Sequence, residues 1–238
     1  ATNGVLSLGG ITGLSFTNGD GISDSTMTFS GTQTAINTAL NGLTYAPNTN
    51  YNGSASIQIQ TSDGSLTDTD SVNITVNAVN DAPVNTVPSA QTVNEDTNLV
   101  FNSSNGNLIS VNDVDNTNVT VTLTSTNGVL SLSGVTGLTF TTGDGTSDAT
   151  MTFSGTQSAI NTALNGLTYA PNANYNGSAS IQIQTTDGSL TDTDTVNITV
   201  NAVNDAPVNT VPSAQTINED TNLVFNSSNG NLISVNDV

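Results

Sequence analysis

The sequence predicts an all-β fold made of tandem antiparallel β-sandwiches, each with one short helix. Two observations lead to this prediction. The first is a repeat of 124 residues: residues 1–114 and 125–238 align without gaps and differ at 12 positions, which leaves 102 identities. The second is the alternation of apolar and polar residues in short segments separated by turn signals. A repeat of this length can bury a core of its own.

The clearest strand segments are residues 14–17, 27–30, 57–60, 72–76 and 119–123. The first four of them recur in the same order 124 residues later. In residues 72–76, Val72, Ile74 and Val76 alternate with polar residues, which is typical of an antiparallel strand with one face on a core and one in water. Asn-Gly and Asp-Gly dipeptides lie between these segments and predict tight turns.

One segment has the period of a helix instead. Within residues 33–43, apolar residues such as Ile36 and Leu40 are spaced to share one helical face. Thr32 is suited to cap the start and Gly42 to follow the end. The sequence therefore predicts a short helix packed over each sandwich, repeated at residues 156–167.

The boundary between copies is predicted at residues 78–84, which recur at 202–208. Pro83 follows a strand whose alternation ends near Val76, and proline keeps the backbone extended there. The prediction is that residues 1–84 form the C-terminal portion of a module, residues 85–208 a complete module, and residues 209–238 the N-terminal portion of the next.

The charge balance restricts the possible partners. The chain has no Lys, Arg or His, against 19 acidic residues, of which only Glu95 and Glu219 are glutamate. Nucleic acid is an implausible partner because phosphate binding needs cationic side chains, and an anionic membrane surface would repel the chain. No apolar run approaches the roughly 20 residues that membrane insertion requires. Without Cys or Lys, neither disulfides nor Lys–Asn isopeptide bonds can form. Bound cations are the neutraliser that this composition suggests.

Four motifs in order carry a family resemblance that covers most of a module. They are the linker at 79–84, Asn94-Glu95-Asp96, Asp113-Val114-Asp115 and Thr186-Asp187-Gly188. Together they resemble the bacterial cadherin-like tandem repeats, with an Asn-Asp-Ala-Pro linker, of large extracellular adhesins and surface proteins. The resemblance implies immunoglobulin/cadherin-like sandwiches, an extracellular or cell-surface location, and Ca²⁺ ions at the joints between modules.

The resemblance also implies a ligand set for each joint. At the first joint the set is Asn80, Asp81, Asp113, Asp115 and Asp187. At the next joint it is Glu95, Asn204, Asp205 and Asp237, whereas Asp63 and Glu219 would belong to joints outside this segment. Such carboxylate and amide oxygens are the ligands that calcium prefers. The alternative for these Asp residues is an ordinary role in turns.

One departure from the family weakens the site. The acidic motif expected before the penultimate strand is missing, and residues 47–53 carry only neutral oxygens. Fewer carboxylates mean weaker binding, so we expect about one to three ions per joint. Two other acidic segments are less suited to calcium. Residues 20–24, with their copy at 144–148, are better interpreted as a hairpin turn, and Asp68 and Asp70 as a solvated loop or polar strand face.

The sequence therefore favours a calcium-stiffened structural repeat module of an extracellular adhesin, matrix protein or surface filament, in a setting such as cell adhesion or a biofilm matrix. The alternative is a carbohydrate- or ice-binding module of a secreted protein. An enzyme is not expected, because His, Lys, Arg and Cys are all absent. The expected partners are neighbouring copies of the module, in one chain or by strand exchange between chains, and a cell-surface or matrix ligand.

Overall fold

The computed structural model describes residues 1–237. Val238, the last residue of the third predicted segment, lies outside the described residues. The chain divides into two compact units: unit 1 is Ala1–Asn80, and unit 2 begins at Asp81. Each unit is described by itself.

Unit 1 contains three strand pairs and one helix. Its elements are β1 (Gly4–Ser7), β2 (Leu14–Asn18), β3 (Thr28–Gly31), α1 (Gln33–Leu40), β4 (Thr44–Pro47), β5 (Gly53–Ser62) and β6 (Thr67–Val76). The antiparallel pairs are β1 with β4, β2 with β3, and β5 with β6. By the 124-residue offset, unit 1 corresponds to the later part of a module, and each pair is a separate two-stranded sheet.

Unit 2 begins with strands that have no counterpart in unit 1. In chain order its elements are β7 (Val84–Thr86), β8 (Gln91–Asn94), β9 (Leu99–Phe101), β10 (Ser110–Asn112), β11 (Asn118–Thr126), β12 (Gly128–Ser131), β13 (Leu138–Thr142), β14 (Thr150–Thr156), α2 (Gln157–Leu164), β15 (Leu167–Pro171), β16 (Gly177–Thr186) and β17 (Thr191–Asn201). They are followed by β18 (Val208–Thr210), a 3₁₀ turn at Ser227–Asn229, and β19 (Ser234–Asn236).

The strands of unit 2 form a sandwich around one core. A six-stranded sheet has the order β13-β14-β11-β16-β17-β8, and a three-stranded sheet has the order β12-β15-β9. Neighbours in both sheets are antiparallel except β17 and β8, which run parallel. Phe153 of the first sheet belongs to the same apolar cluster as Phe101 and Tyr169 of the second, and all three are fully buried. The predicted all-β sandwich is therefore confirmed.

The predicted helix is also confirmed in both copies. It spans Gln33–Leu40 and Gln157–Leu164, slightly shorter than the apolar pattern indicates. The Thr32 and Thr156 side chains accept hydrogen bonds from the N–H groups of Ala35 and Ala159, so both threonines are N-caps. In α2 the apolar face is completely covered, and Ile160 and Leu164 have no exposed surface.

Residues 209–237 pack more loosely than their counterparts 85–113. The strands β18 and β19 pair only with each other, as the counterpart strands β7 and β10 do. Phe225 is 43% exposed, whereas its counterpart Phe101 is fully buried in the sandwich. The same local sequence therefore gives a buried strand only where the rest of the module contacts it.

A candidate metal centre in unit 2

Asp113 follows β10 and is the most buried of the predicted ligands at the start of unit 2. Its side chain is 7% exposed, and its Oδ1 accepts hydrogen bonds from the N–H groups of Asp115 at 2.9 Å and Asn116 at 2.8 Å. Gln157, at the start of α2, fixes the same turn. Its Oε1 accepts from the Asp113 N–H at 3.0 Å, and its Nε2 donates to the Asp113 carbonyl at 2.8 Å.

The second oxygen of this carboxylate is buried without a hydrogen bond. Among residues 1–237, no group lies within hydrogen-bond distance of Asp113 Oδ2 with suitable geometry. A buried carboxylate oxygen without a donor is costly, because the charge loses its hydration and gains nothing in return. The turn therefore presents one carboxylate oxygen that has no hydrogen-bond donor among the described residues. A bound cation would compensate for the missing donor.

Three further predicted ligands lie in the same part of unit 2. The Asp81 N–H donates to Asp115 Oδ2 at 2.7 Å, and Asn116 Nδ2 lies 3.5 Å from Asp187 Oδ2. Asp187 is held in its own turn, where Oδ1 accepts from the N–H groups of Ser189 and Leu190 at 2.6 and 2.7 Å. Asn116 links the Asp113 turn to the Asp187 turn, a contact that the sequence analysis did not anticipate.

In the described part of the chain, these carboxylates do not form a complete set of metal ligands. Among residues 1–237, no group of three or more acidic side chains is arranged so that it holds a metal ion as it stands. Carboxylates of like charge repel one another when no cation lies between them. What the structure shows is a set of acidic turns held in one region, with one oxygen left over at Asp113.

Asn80 and Asp63 lie in unit 1. Asn80 is its last residue and is exposed. Asp63 is the copy of Asp187 and makes the same turn, accepting from the N–H groups of Ser65 and Leu66 at 2.8 Å each. The N–H of Leu66, followed by that of Ser65, lowers the pKa of Asp63, because both hydrogen bonds favour the charged carboxylate.

Glu95 lies at the linker that follows β17. It is 5% exposed, its Oε1 accepts from the Val203 N–H at 2.6 Å, and its own N–H donates to the Asn201 carbonyl at 2.9 Å. Asn204 and half-buried Asp205 follow directly, and Asn204 Nδ2 donates to the Asp205 carbonyl at 2.9 Å. The structure thus ties Glu95 to the linker predicted for it.

The remaining predicted ligands and acidic loops have other surroundings. Glu219 and Asp237 are exposed within residues 209–237. In the loop at 144–148, Asp148 Oδ2 accepts from the N–H groups of Asp144 at 3.0 Å and Gly145 at 2.8 Å. The copy at 20–24 repeats these bonds. One carboxylate oxygen of each loop thus holds the backbone of its own turn, which agrees with the hairpin-turn interpretation.

A polar cluster that the sequence patterns do not predict lies against the core of unit 2. Thr185 is fully buried, and its Oγ1 donates to Asn85 Oδ1 at 2.6 Å. The Asn85 N–H donates to Asp192 Oδ2 at 2.7 Å. One signal could have revealed it: Asp192 has the same strand phase as buried Val196, so the alternation places a carboxylate on the core side of β17.

The fold and the composition define this protein as an acidic β-sandwich repeat, and comparisons with known proteins do not narrow this class. No family model matches the chain, and no curated protein matches it. Domains 4–9 of the surface-layer protein SbsC match 98% of this chain and 37% of theirs, with 14% identity and a TM-score of 0.33. A chimeric titin Z1Z2 functionalized with an exogenous peptide from decorin matches 52% of this chain and 99% of its own, with 16% identity and a TM-score of 0.25.

An endo-fucoidan hydrolase of glycoside hydrolase family 107 matches 85% of this chain and 25% of its own, with 18% identity and a TM-score of 0.28. At such TM-scores these likenesses carry no argument about function. Within residues 1–237, no helix has both the length and the apolar character that a membrane crossing requires.

Proposed function

We propose that this chain is a calcium-stiffened structural repeat module of an extracellular adhesin, matrix protein or surface filament. The observation that carries the proposal is the buried, unbonded Oδ2 of Asp113 beside the acidic turns of unit 2. Calcium takes 6–8 oxygen ligands, so it is the common cation best suited to a site made only of carboxylates and carbonyls.

Within unit 2, the ligands of this ion would be Asp81, Asp113, Asp115 and Asp187. Asn80, in unit 1, stays a ligand that only the family resemblance predicts. Calcium supplies positive charge that the side chains of this chain cannot supply, since it has no Lys, Arg or His. Asp81 is a residue of the linker, and its N–H already bonds to Asp115. An ion shared by these groups would fix the linker to the domain that follows it.

The family resemblance extends the proposal to the following linker, where Glu95, which already bonds to the linker through Val203, would be joined by Asn204, Asp205 and Asp237. Ligands that bind only the ordered linker stabilise it by mass action as calcium rises. A row of such modules would become stiffer in a calcium-rich medium outside the cell, which suits adhesion or a surface filament. Glu219 and Asp63 would serve further linkers of the same kind.

The binding site is tested by calorimetric titration of Ca²⁺ into the wild-type protein, Asp113→Asn and Asp70→Asn. Asp70 is exposed in unit 1, so its substitution removes the same charge away from the site. We expect Asp113→Asn to weaken or abolish binding at this site by at least about tenfold, because it removes a carboxylate that calcium prefers as a ligand. Asp70→Asn should bind as the wild type does.

Two outcomes would overturn the proposal. One is a wild-type protein that binds no calcium, and the other is an Asp113→Asn protein that binds as tightly as the wild type. Far-UV circular dichroism and the melting temperature of each variant distinguish lost ligation from lost folding.

A second candidate function rests on the outer face of the six-stranded sheet. This face is uncharged in a chain of net charge −19, and Thr122 Oγ1 lies 3.0 Å from Thr152 Oγ1 on the next strand. On the four inner strands, its side chains include those of Thr150, Thr152, Ser154, Thr120, Thr122, Thr124, Ser180, Gln182, Gln184, Thr193, Thr195 and Asn197. Such a hydroxyl and amide surface fits a neutral carbohydrate or ice. A glycan array and an ice-recrystallisation assay test it, and no signal in either would dismiss it.

A further inference from the structure

The buried cluster of Asn85, Thr185 and Asp192 brings together groups that can react. Thr185 is fully buried and Asn85 is 8% exposed, so their side chains meet away from solvent. The Thr185 hydroxyl lies 2.6 Å from Asn85 Oδ1, which places the nucleophilic oxygen next to the amide group. The two residues are 100 positions apart in the chain, on β7 and β16.

The amide of Asn85 is only half satisfied. Its Oδ1 accepts from Thr185, but its Nδ2 is buried and has no hydrogen-bond partner in the part of the chain that the structure describes. A buried NH₂ group with no acceptor is unfavourable, and native structures seldom keep one without a reason. Loss of this nitrogen would remove the penalty.

A carboxylate completes the cluster. Asp192 is directly opposite Thr185 in the antiparallel pairing of β16 with β17, so both side chains lie on the same face of the sheet. Asp192 Oδ2 also accepts the Asn85 N–H at 2.7 Å. A buried hydroxyl, a buried amide and a half-buried carboxylate thus lie in one cluster, and these are the kinds of group that acyl transfer uses.

We propose that Thr185 and Asn85 form an intramolecular ester. Thr185 Oγ attacks Asn85 Cγ, and Asp192 takes the hydroxyl proton. The bond from Cγ to Nδ2 then breaks, and the departing nitrogen receives that proton and leaves as ammonia. One C–O bond forms and one C–N bond breaks, with no oxidant or reductant. Burial excludes the water that would hydrolyse the ester.

An ester is a covalent cross-link that a chain without Cys or Lys can form. It would tie β7, the first strand of the module, to the last hairpin, formed by β16 and β17. This inference stands independently of the calcium proposal, since none of its three residues is a proposed ligand. The counterparts of Thr185 and Asn85 in the other copies are Thr61 and Asn209, which are exposed and lie in different units. Within residues 1–237, we therefore propose the ester for the Asn85 and Thr185 pair.

Intact-mass spectrometry of the folded wild-type protein is the direct test. Loss of one ammonia lowers the mass of the 24.1 kDa chain by about 17 Da. Thr185→Val should have the full sequence mass, and Thr185→Ser, which keeps the hydroxyl, should retain the loss. The matched control Thr61→Val should also retain it. Asp192→Asn should form the ester at least about tenfold more slowly, since it lacks the base.

Peptide mapping locates the bond. Trypsin cannot be used because the chain has no Lys or Arg, so pepsin is the suitable protease. The expected product is a linked peptide pair containing Asn85 and Thr185, which hydroxylamine separates because it cleaves esters. A folded wild-type protein with the full sequence mass would overturn the proposal, and so would a loss of mass that persists in folded Thr185→Val.

Discussion

The pentapeptide Val-Asn-Ile-Thr-Val occurs in both units, and its first valine has different surroundings in each. Val196 is 1% exposed, whereas Val72 is 59% exposed. Strand β17 lies between β16 and β8 and contributes to the sandwich core, but β6 pairs with β5 alone. Burial at this position is therefore decided by distant strands and not by the local sequence.

We expect the same substitution at these two valines to have unequal effects. Val196→Ala should lower the free energy of unfolding of unit 2 by about 2 kcal/mol, from lost apolar burial and the cavity left behind. Val72→Ala should change stability by less than about 0.5 kcal/mol, as exposed substitutions usually do. Urea denaturation of both variants measures the difference, and equal losses would contradict the burial described here.

The sequence predicts single residues of the site better than their partners. Asp113 is recognisable because it opens an Asp-x-Asp motif, but Gln157, which bonds to the Asp113 backbone, lies 44 positions away. The pairing of Thr185 with Asn85 spans 100 positions and has no local signature. Contacts of this kind follow from strand order, which the alternation of apolar residues does not specify.

Helix α2 acts as a partner for the edge of β10. Asn161 Oδ1 accepts from the Val111 N–H at 2.8 Å, and its Nδ2 donates to the Val111 carbonyl at 2.8 Å. One turn earlier, Gln157 makes the corresponding pair of bonds with Asp113. Two amide side chains four residues apart lie on one helical face, and they replace the backbone of a neighbouring strand.

Removal of the first amide should disturb both folding and metal binding. Gln157→Ala leaves the Asp113 backbone groups without partners, which costs about 1–3 kcal/mol. It should also weaken calcium binding by about tenfold, as loss of a ligand-orienting contact typically does. Gln33→Ala, at the exposed copy in unit 1, is the matched control and should change neither property. Calorimetric titration measures the calcium affinity of both variants, and thermal unfolding measures their stability. An unchanged calcium affinity in Gln157→Ala would show that the helix does not orient the metal ligands.

The helix itself was predictable from the sequence, whereas its role was not. The spacing of Ile36 and Leu40, with Thr32 before them, specifies an amphipathic helix and its N-cap. In the sequence, Gln157 and Asn161 look like ordinary polar residues on the solvent-facing side of the helix. Gln157 bonds to Asp113, 44 residues earlier, and Asn161 bonds to Val111 of β10, 50 residues earlier. Only the folded module brings these partners together.

Charge governs the behaviour of the molecule as a whole. The net charge of −19 has no opposing cationic side chain, so the folded chain depends on solvent and cations to limit self-repulsion. Sodium ions screen this repulsion without occupying a particular site. Calcium differs if it binds the acidic turns of unit 2, since it then stabilises the folded state by linkage.

Calcium should therefore stabilise the protein more than an equal ionic strength of sodium chloride. At a free calcium concentration about 100 times the dissociation constant, one site adds about 2.7 kcal/mol. EDTA should reverse this gain, and small-angle scattering should then report a more flexible chain. Thermal unfolding in the two salts provides the comparison. If the melting temperatures are equal at matched ionic strength and EDTA leaves the scattering unchanged, calcium acts only by screening charge repulsion. That result would contradict specific calcium binding.

The parallel pairing of β8 with β17 has a mechanical consequence. The first of these strands follows one linker and the second precedes the next, with Gln91 beside Ile198 and Asn94 beside Asn201. In a chain without the Asn85–Thr185 ester, tension applied through the two linkers pulls β8 from its beginning and β17 from its end once β7 has separated from β10. The strands are then drawn past each other lengthwise, so that their hydrogen bonds share the load and must fail together instead of peeling apart one at a time.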